Sequence, residues 1–366
     1  MQHSATDWLA LSLLPGVGAA RIAELAASDP PWPHGWLAAL PRSAAQALRL
    51  CLEHPAQSPL AARLATEREW LDASPDRHLL HPDHPAWPEA LSQIADPPPV
   101  LWAQGDLDAL EAPRLAMVGT RRPTREGTGN AAGFARRLAE RGWCVVSGMA
   151  LGIDGIAQQA ALDAEGRSVA VLGCGVDVIY PARHRRLHER LCGPGGLLLS
   201  EHPPGTRARA GFFPRRNRLI TGLSRGVLVV EAAERSGSLV SARLAVEQGR
   251  EVFALPGSIH NPQARGCLHL IREGAALVRD LDDILAELTQ WSAAPVMNRC
   301  APQAAPDADP VLAWLSDTPT PVDALVDLSG LAVSDCQRRL LALELEGRAS
   351  QAAGGWVRLP TSPGPC

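Results

Sequence analysis

The sequence predicts an α/β protein whose middle is a doubly wound parallel sheet, preceded by a small helical segment and followed by a helix-rich segment that ends in two short strands. Three observations predict this. Short β-branched runs alternate with helical runs from residue 115 to residue 278, strand ends run repeatedly into glycine-bearing turns that open helices, and the flanking segments carry helical periodicity instead.

Length and composition agree with that class. The chain has 366 residues, 46% of them apolar and 20% charged, which suits two or three domains with ordinary cores and excludes a disordered or collagen-like chain. The longest apolar runs, such as residues 227–230, fall far short of the roughly 18 residues of a membrane span. The opening MQHSATDW has no basic and apolar leader, so the expectation is a soluble, cytoplasmic protein with no membrane partner.

Helical runs are expected at residues 8–14, 19–27, 43–53 and 60–71, giving a helical N-terminal domain over residues 1–95. Between the first two lies Leu14-Pro15-Gly16-Val17-Gly18, the hairpin of a helix-hairpin-helix unit. Its glycines free backbone amides to approach a phosphate, but the surrounding segment is acidic and such hairpins also serve plain packing. The Pro-rich stretch Asp96-Pro97-Pro98-Pro99 leads into the sheet domain, residues 96–290. Strands are expected at 115–118, 143–147, 168–172, 197–200, 226–230, 251–254 and 275–278, with helices between them such as 127–141, closed by Gly142, and 238–248, closed by Gly249. Residues 291–309 lack an apolar period and read as a linker. Residues 310–366 place helices near 311–315, 322–328 and 334–345 before two strands ending at Leu359. That order resembles a winged helix-turn-helix, a module that often reads duplex DNA through its third helix. Only Arg338 and Arg339 lie on that helix and the segment is acidic, so protein contact or a weak DNA role is favoured over duplex reading.

Charge is uneven along the chain. The net charge is −4, yet residues 111–290 hold 24 Arg against 18 acidic residues, while residues 1–110 hold 6 against 13. A basic segment inside an acidic chain marks where an anion sits. All 35 basic side chains are arginine; GC-rich codon usage explains that first, although the planar fork also suits phosphate. The eight cysteines form no C-x-x-C pair, so free buried thiols are expected, with no metal site and no cofactor.

Five motifs carry candidate chemistry. Gly119, Thr120, Arg121 and Arg122 follow a strand and precede a helix, which makes a phosphate site of free amides and a helix dipole, or else a tight turn with solvated arginines. Ser147 and Gly148 repeat the arrangement at the next strand end; Asp154 beyond them is either a cap or a catalytic carboxylate. Gly173-Cys174-Gly175 offers G-x-G, but Val178 replaces the third glycine and Pro181 blocks the required helix, which argues against a dinucleotide site. The fourth motif is the strongest: Phe212, Phe213, Arg215, Arg216, Asn217 and Arg218 lie in a stretch from His202 to Val230 with six arginines and no acid. Ring faces for bases beside cations for phosphates are what single-stranded nucleic acid needs, and the alternative is core phenylalanines with a solvated basic face. Last, Ser236, Gly237 and Ser238 form another strand-end turn, while Glu231 and Glu201 either orient arginines or serve as acid and base.

Taken in order, the strings VGTRRPT, SGMALGID, VAVLGCGVDVIYP, SEHPPG, FFPRRNRLITGLS, VLVVEA, SGSLVSARLAVEQGREVFALPG and LIREGAALV resemble the DNA processing protein A family, DprA or Smf, across the whole middle domain. The resemblance implies an extended Rossmann-like domain with a small N-terminal domain of SAM or helix-hairpin-helix kind and a C-terminal winged helix. It implies a non-enzymatic recombination mediator that binds single-stranded DNA without sequence preference, usually as a homodimer. Such a mediator loads RecA onto DNA held by single-strand binding protein during natural transformation or DNA processing. DNA contacts carry over to Gly119, Thr120 and Arg121, to Ser147 and Gly148, to Phe213, Arg215, Asn217 and Arg218, and to Ser236–Ser238. The chain departs from the family at Leu151, where arginine is usual, at Gln158 and at His184.

A second function class is a nucleotide-binding phosphoribohydrolase-like enzyme on the related Rossmann architecture. Its P-G-G-x-G-T-x-x-E signature is missing; Gly193-Pro194-Gly195-Gly196 runs on into leucine. A third is a protein-interaction hub with secondary DNA binding, suggested by the acidic terminal segments.

Overall fold

The structure, a computed structural model, describes residues 3–288, 309–315, 319–352 and 355–359. The linker expected at 291–309 lies almost wholly outside the described residues, as do Cys300 and Cys366. The chain divides into two compact units, Met1–Met297 and Asn298–Cys366.

The first unit begins with helices α1 (Ala5–Ser12), α2 (Ala19–Ala27), α3 (His34–Ala39), α4 (Arg42–Glu53) and α5 (Pro59–Asp72). Ser4 and Asp7 form a reciprocal capping box on α1, and Ser58 caps α5 ahead of Pro59. Helix α3 was not expected, because six residues inside a Pro- and Trp-rich stretch show no period, yet its Trp36 is fully buried.

The sheet follows: β1 (Arg77–Leu80), a short α6 (Glu89–Ser92), β2 (Leu101–Gly105), β3 (Arg114–Val118), α7 (Arg125–Glu140), β4 (Cys144–Ser147), α8 (Ile153–Asp163), β5 (Arg167–Val171), α9 (Arg185–Leu191) and β6 (Gly196–Ser200). The chain then returns through α10 (Phe212–Gly222), β7 (Gly226–Val229), α11 (Ser238–Glu247), β8 (Glu251–Ala254), α12 (Arg265–Arg272), β9 (Ala276–Leu277) and α13 (Leu281–Glu287). Strand order is β1-β2-β6-β5-β4-β3-β7-β8-β9. The seven expected strands are present as β3 to β9, all parallel. Two antiparallel strands, β1 and β2, extend the edge beyond β6 and were not expected. The first lies within residues 1–95, the stretch read as helical; RHLL and LWAQG show no alternation, and only pairing reveals them.

Both sheet faces are covered, so the strands are continuously apolar. Side chains alternate strictly. Ala116, Val146, Val169, Leu199 and Val227 pack with Leu219 and Ile220 of α10 and Ala242 of α11. Met117, Val145 and Leu228 face the other way, onto Phe134 of α7 and Ile153 of α8. Trp102, Ala170 and Leu198 meet Trp8, Ile22, Trp36 and Leu48, so the N-terminal helices cap the sheet rather than standing apart from it.

The second unit holds α14 (Val322–Ser329), α15 (Val333–Leu345) and the hairpin β10 (Ala349–Ala352) with β11 (Gly355–Arg358), around Leu325, Leu340, Leu343 and Trp356. Where a first helix was expected at 311–315 there is a single 3₁₀ turn, Leu312–Trp314.

Candidate nucleic-acid interface

From β3 the sheet grows one way through β4, β5 and β6, and then the chain comes back to lay β7 on the other side of β3. Strand order reverses between β3 and β7, and in open α/β sheets the ligand crevice opens at the carboxyl ends of the strands at this point. The turns after β3 and β7 line it, and α7 and α11 start from them.

The turn after β3 is held from below. Thr120 N donates to the Glu231 carbonyl at 2.7 Å, and Glu231 accepts from Thr124 N at 2.9 Å and Thr124 Oγ1 at 2.8 Å. Thr124 Oγ1 in turn accepts from Gly127 N at 3.0 Å as the cap of α7. Glu231 therefore fixes the helix start, and among the described residues it orients no arginine. Arg121 and Arg122, anchored by this turn, are exposed, and among the described residues neither forms an ion pair.

The turn after β4 is used internally. Ser147 is fully buried and its Oγ donates to the Met117 carbonyl at 2.6 Å. Gly148 N donates to Asp154 Oδ2 at 3.1 Å, while its carbonyl accepts from Arg216 Nη1 at 2.8 Å. Arg216 also donates to the Val171 carbonyl. Burial pushes the Asp154 carboxyl above its ordinary range, with the neighbouring Arg216 guanidinium opposing it. A Cβ on Gly148 would fall within 3.0 Å of that guanidinium. Ser147, Gly148 and Arg216, expected at the DNA from the sequence, are buried here, and their polar groups tie the ends of β4 and β5 together. Asp154 likewise belongs to this buried pair.

Helix α10 sorts its arginines by periodicity. Arg216, Leu219 and Ile220 lie on one stripe and are buried, whereas Arg215 projects outward with its side chain 55% exposed. Arg218 is buried too, gripped by Glu201 at 2.5 and 2.6 Å and by Asp96 at 3.2 Å. The guanidinium, expected at the DNA from the sequence, is occupied within the protein, and Glu201 does orient an arginine. Burial opposes the Arg218 charge, but the two carboxylates outweigh it and raise the pKa.

Phe213 is half-buried against Gly173, its ring centroid 5.3 Å from that of Tyr180, which is 47% exposed. Phe212 stacks on His202 at 4.0 Å. Asn217 is half-buried. Across the crevice, Ser236 Oγ meets Ser238 Oγ at 2.6 Å at the start of α11, and Gly237 is exposed between them. Gly119 packs against Ile153 and the Glu231 carbonyl. Tyr180, Thr124 and Gly152 were not singled out from the sequence; Gly152 is the most consequential, since its φ of +81° lets it press on the backbone of Thr120 and Arg121.

Two of the departures from the family pattern, Gln158 and His184, are accommodated locally. Gln158 is fully buried, accepting from Met149 N at 3.0 Å and donating to the Val169 carbonyl at 3.1 Å. His184 Nδ1 lies 3.1 Å from the Met149 carbonyl, above Gly155.

Among the described residues no group of three or more His, Cys, Asp or Glu side chains is arranged to hold a metal, and no helix is long and apolar enough to cross a membrane. Burial pushes the Cys144 thiol up to about 12 and those of Cys174 and Cys267 to about 11. Iodoacetamide at pH 8 is therefore expected to leave these three unmodified in the native protein and to label them only after denaturation, a difference readable by mass spectrometry.

The family profile for DNA recombination-mediator protein A matches residues 78–289, and that for the DprA winged helix domain matches residues 295–355. Protein Smf of Escherichia coli (strain K12) is 46% identical over 297 residues, 79% of each chain. DNA processing protein DprA of Bacillus subtilis (strain 168) is 44% identical over 208 residues, 57% of this chain and 69% of the relative. The X-ray structure of DprA from Streptococcus pneumoniae superposes with a TM-score of 0.67 at 35% identity, covering 78% of this chain and 99% of that one. A structure of DNA processing protein A from Helicobacter pylori, described for its single-stranded DNA binding mode, gives a TM-score of 0.53 at 34% identity over 58% of this chain and 96% of that one. On the sequence match, the shared sheet and the C-terminal winged helix, this chain belongs to the DNA recombination-mediator protein A family, DprA or Smf.

Proposed function

We propose that the crevice at the carboxyl ends of β3, β5 and β7 binds single-stranded DNA without sequence preference. In this reading the protein is a non-enzymatic mediator that loads RecA onto DNA held by single-strand binding protein, acting as a homodimer during natural transformation or DNA processing. One observation carries the DNA reading: exposed Arg121, Arg122 and Arg215 stand at the same sheet edge as the half-exposed Phe213 and Tyr180 rings. Cations track phosphates and ring faces take unstacked bases, a combination tolerant of sequence. Of the contacts expected from the sequence, Gly119, Thr120, Arg121, Arg122, Phe213, Arg215, Asn217, Ser236 and Gly237 contribute to this surface, with buried Ser238 beneath it.

The test is fluorescence anisotropy of a labelled oligothymidine over a salt series, with the Arg121→Ala, Arg215→Ala double variant beside the wild type. Wild-type affinity is expected to fall by about 0.7 log unit per neutralised phosphate for each tenfold rise in salt, and the variant to bind roughly 10- to 100-fold more weakly with a shallower slope. Equal binding by both proteins would move the site elsewhere.

The hydrolase alternative finds no support at Glu231. Its carboxylate is buried and holds Thr124 through both oxygens, leaving no free base at that strand end. Release of free base from a nucleoside monophosphate would revive it. For the winged helix, of the two roles expected, protein contact fits better than weak DNA binding: Arg338 pairs with Asp335 and Arg339 with Asp309, while Val333, Leu341 and Leu345 are exposed on the same helix.

A further inference from the structure

Two carboxylates serve helix α10, and they are not equivalent. Glu201 takes Arg218 with both oxygens, at 2.5 and 2.6 Å, and the two side chains are only 13% and 10% exposed. That bidentate pair satisfies the Arg218 charge by itself. Asp96 is the second carboxylate, 3.2 Å from Arg218 Nε and 3.7 Å from Arg215 Nη2. The same Asp96 oxygen that accepts from Arg218 Nε therefore also faces Arg215, the exposed crevice arginine of this helix, and holds it more loosely.

Asp96 is also held in place. It precedes Pro97-Pro98-Pro99, which keeps its backbone from becoming helical, and Pro98 is buried. Two residues earlier, Ile94 packs in the core against Gly222 at the end of α10. An outside anion at Arg215 competes with Asp96, whose carboxylate is kept at the helix by its 3.2 Å hydrogen bond from Arg218 Nε.

We propose that Asp96 is a built-in anion that occupies Arg215 in the DNA-free protein and makes the crevice select a phosphodiester strand over isolated phosphate anions. A lone phosphate must displace a tethered competitor at the guanidinium. A strand brings several phosphates at once, and its contacts with Arg121 and Arg122 offset the exchange at Arg215. The inference rests on the single-stranded DNA reading of the crevice and deepens it by naming the class of anion excluded.

The experiment uses the full chain and labelled oligothymidine, with dTMP and inorganic pyrophosphate as competitors. Wild type is compared with Asp96→Asn, Asp96→Ser, Arg215→Ala and the Asp96→Asn, Arg215→Ala double variant. Both charge-removing variants are expected to bind oligothymidine about 3- to 10-fold more tightly at low salt, with a salt slope steeper by up to about 0.7. Both are expected to be competed by dTMP and pyrophosphate at lower concentrations than the wild type, and the gain is expected to vanish in the Arg215→Ala background. Unchanged or weaker binding by both variants at an unchanged melting temperature would overturn the inference, as would a gain that survives Arg215→Ala. Wild-type protein that fails to bind oligothymidine would overturn the single-strand reading and this inference with it, whereas wild-type binding that neither variant alters overturns the inference alone.

Discussion

Arg216→Ala is expected to destabilise the first unit by about 3–5 kcal/mol, read as a lower midpoint in urea, while Arg215→Ala one residue away changes stability by less than about 1 kcal/mol. The difference follows from what each guanidinium touches. Arg216 is 6% exposed, donates to the Gly148 and Val171 carbonyls and lies beside buried Asp154. Removing it strands a carboxylate and two carbonyls in the core, whereas Arg215 faces solvent with one loose partner. The deficit also has a pH signature. Burial already raises the Asp154 pKa, and a group raised in the folded state gives stability that is lost as pH rises through its folded value. Without Arg216 the carboxyl rises further, so the Arg216→Ala penalty is expected to grow from acidic toward neutral pH. Adding Asp154→Asn should recover part of it. A variant that unfolds at the wild-type midpoint and loses only oligothymidine binding would return Arg216 to the interface.

This pair of neighbours shows where the sequence could be read and where it could not. The parallel strands were legible because burial on both faces leaves continuous apolar runs such as VLVV, and the glycine turns after them were legible because each sits where a strand run stops. Strands β1 and β2 were not, because an antiparallel edge of four or five residues carries no signal except its partner. Among the site residues, composition placed three arginines and a phenylalanine at the crevice but could not sort them. Sorting requires knowing that residues 212–222 are helical. Once they are, Arg216, Leu219, Ile220 and Leu223 form an i, i+3, i+4, i+7 stripe, and the arginine on that stripe must point inward with a counter-ion. That stripe was present in the sequence as a signal and was masked by the basic run around it. Ser147 posed the opposite difficulty: a serine at a strand end reads as a phosphate ligand, and only the parallel register brings the Met117 carbonyl within 2.6 Å of its hydroxyl.

Gly152→Ala and Gly129→Ala are expected to have opposite signs, and the contrast isolates how the β3 turn is held. Gly129 lies on the exposed side of α7, where an added methyl would meet nothing within 4 Å, so alanine there only removes backbone freedom from the unfolded chain and is expected to stabilise by about 0.5–1 kcal/mol. Gly152 has φ +81° and ψ −132°, a region nearly closed to residues with a Cβ. Its added methyl would lie within 3.0 Å of the Thr120 carbonyl oxygen and of the Arg121 backbone. Neither is the end of a flexible side chain, so the whole turn has to shift, and with it the 3.2 Å hydrogen bond from Ile153 N to the Thr120 carbonyl. Strain and displaced packing together are expected to cost about 3 kcal/mol or more. The functional effect exceeds the loss of stability because this turn carries Arg121 and Arg122. In the fraction that remains folded, oligothymidine affinity is expected to drop at least about 10-fold, since cations moved by an ångström no longer meet phosphates spaced by a common strand. Anisotropy on Gly152→Ala below its melting temperature checks this directly. Wild-type affinity in that folded variant would mean that the β3 turn tolerates displacement and that the strand is held chiefly by α10 and the serines opening α11.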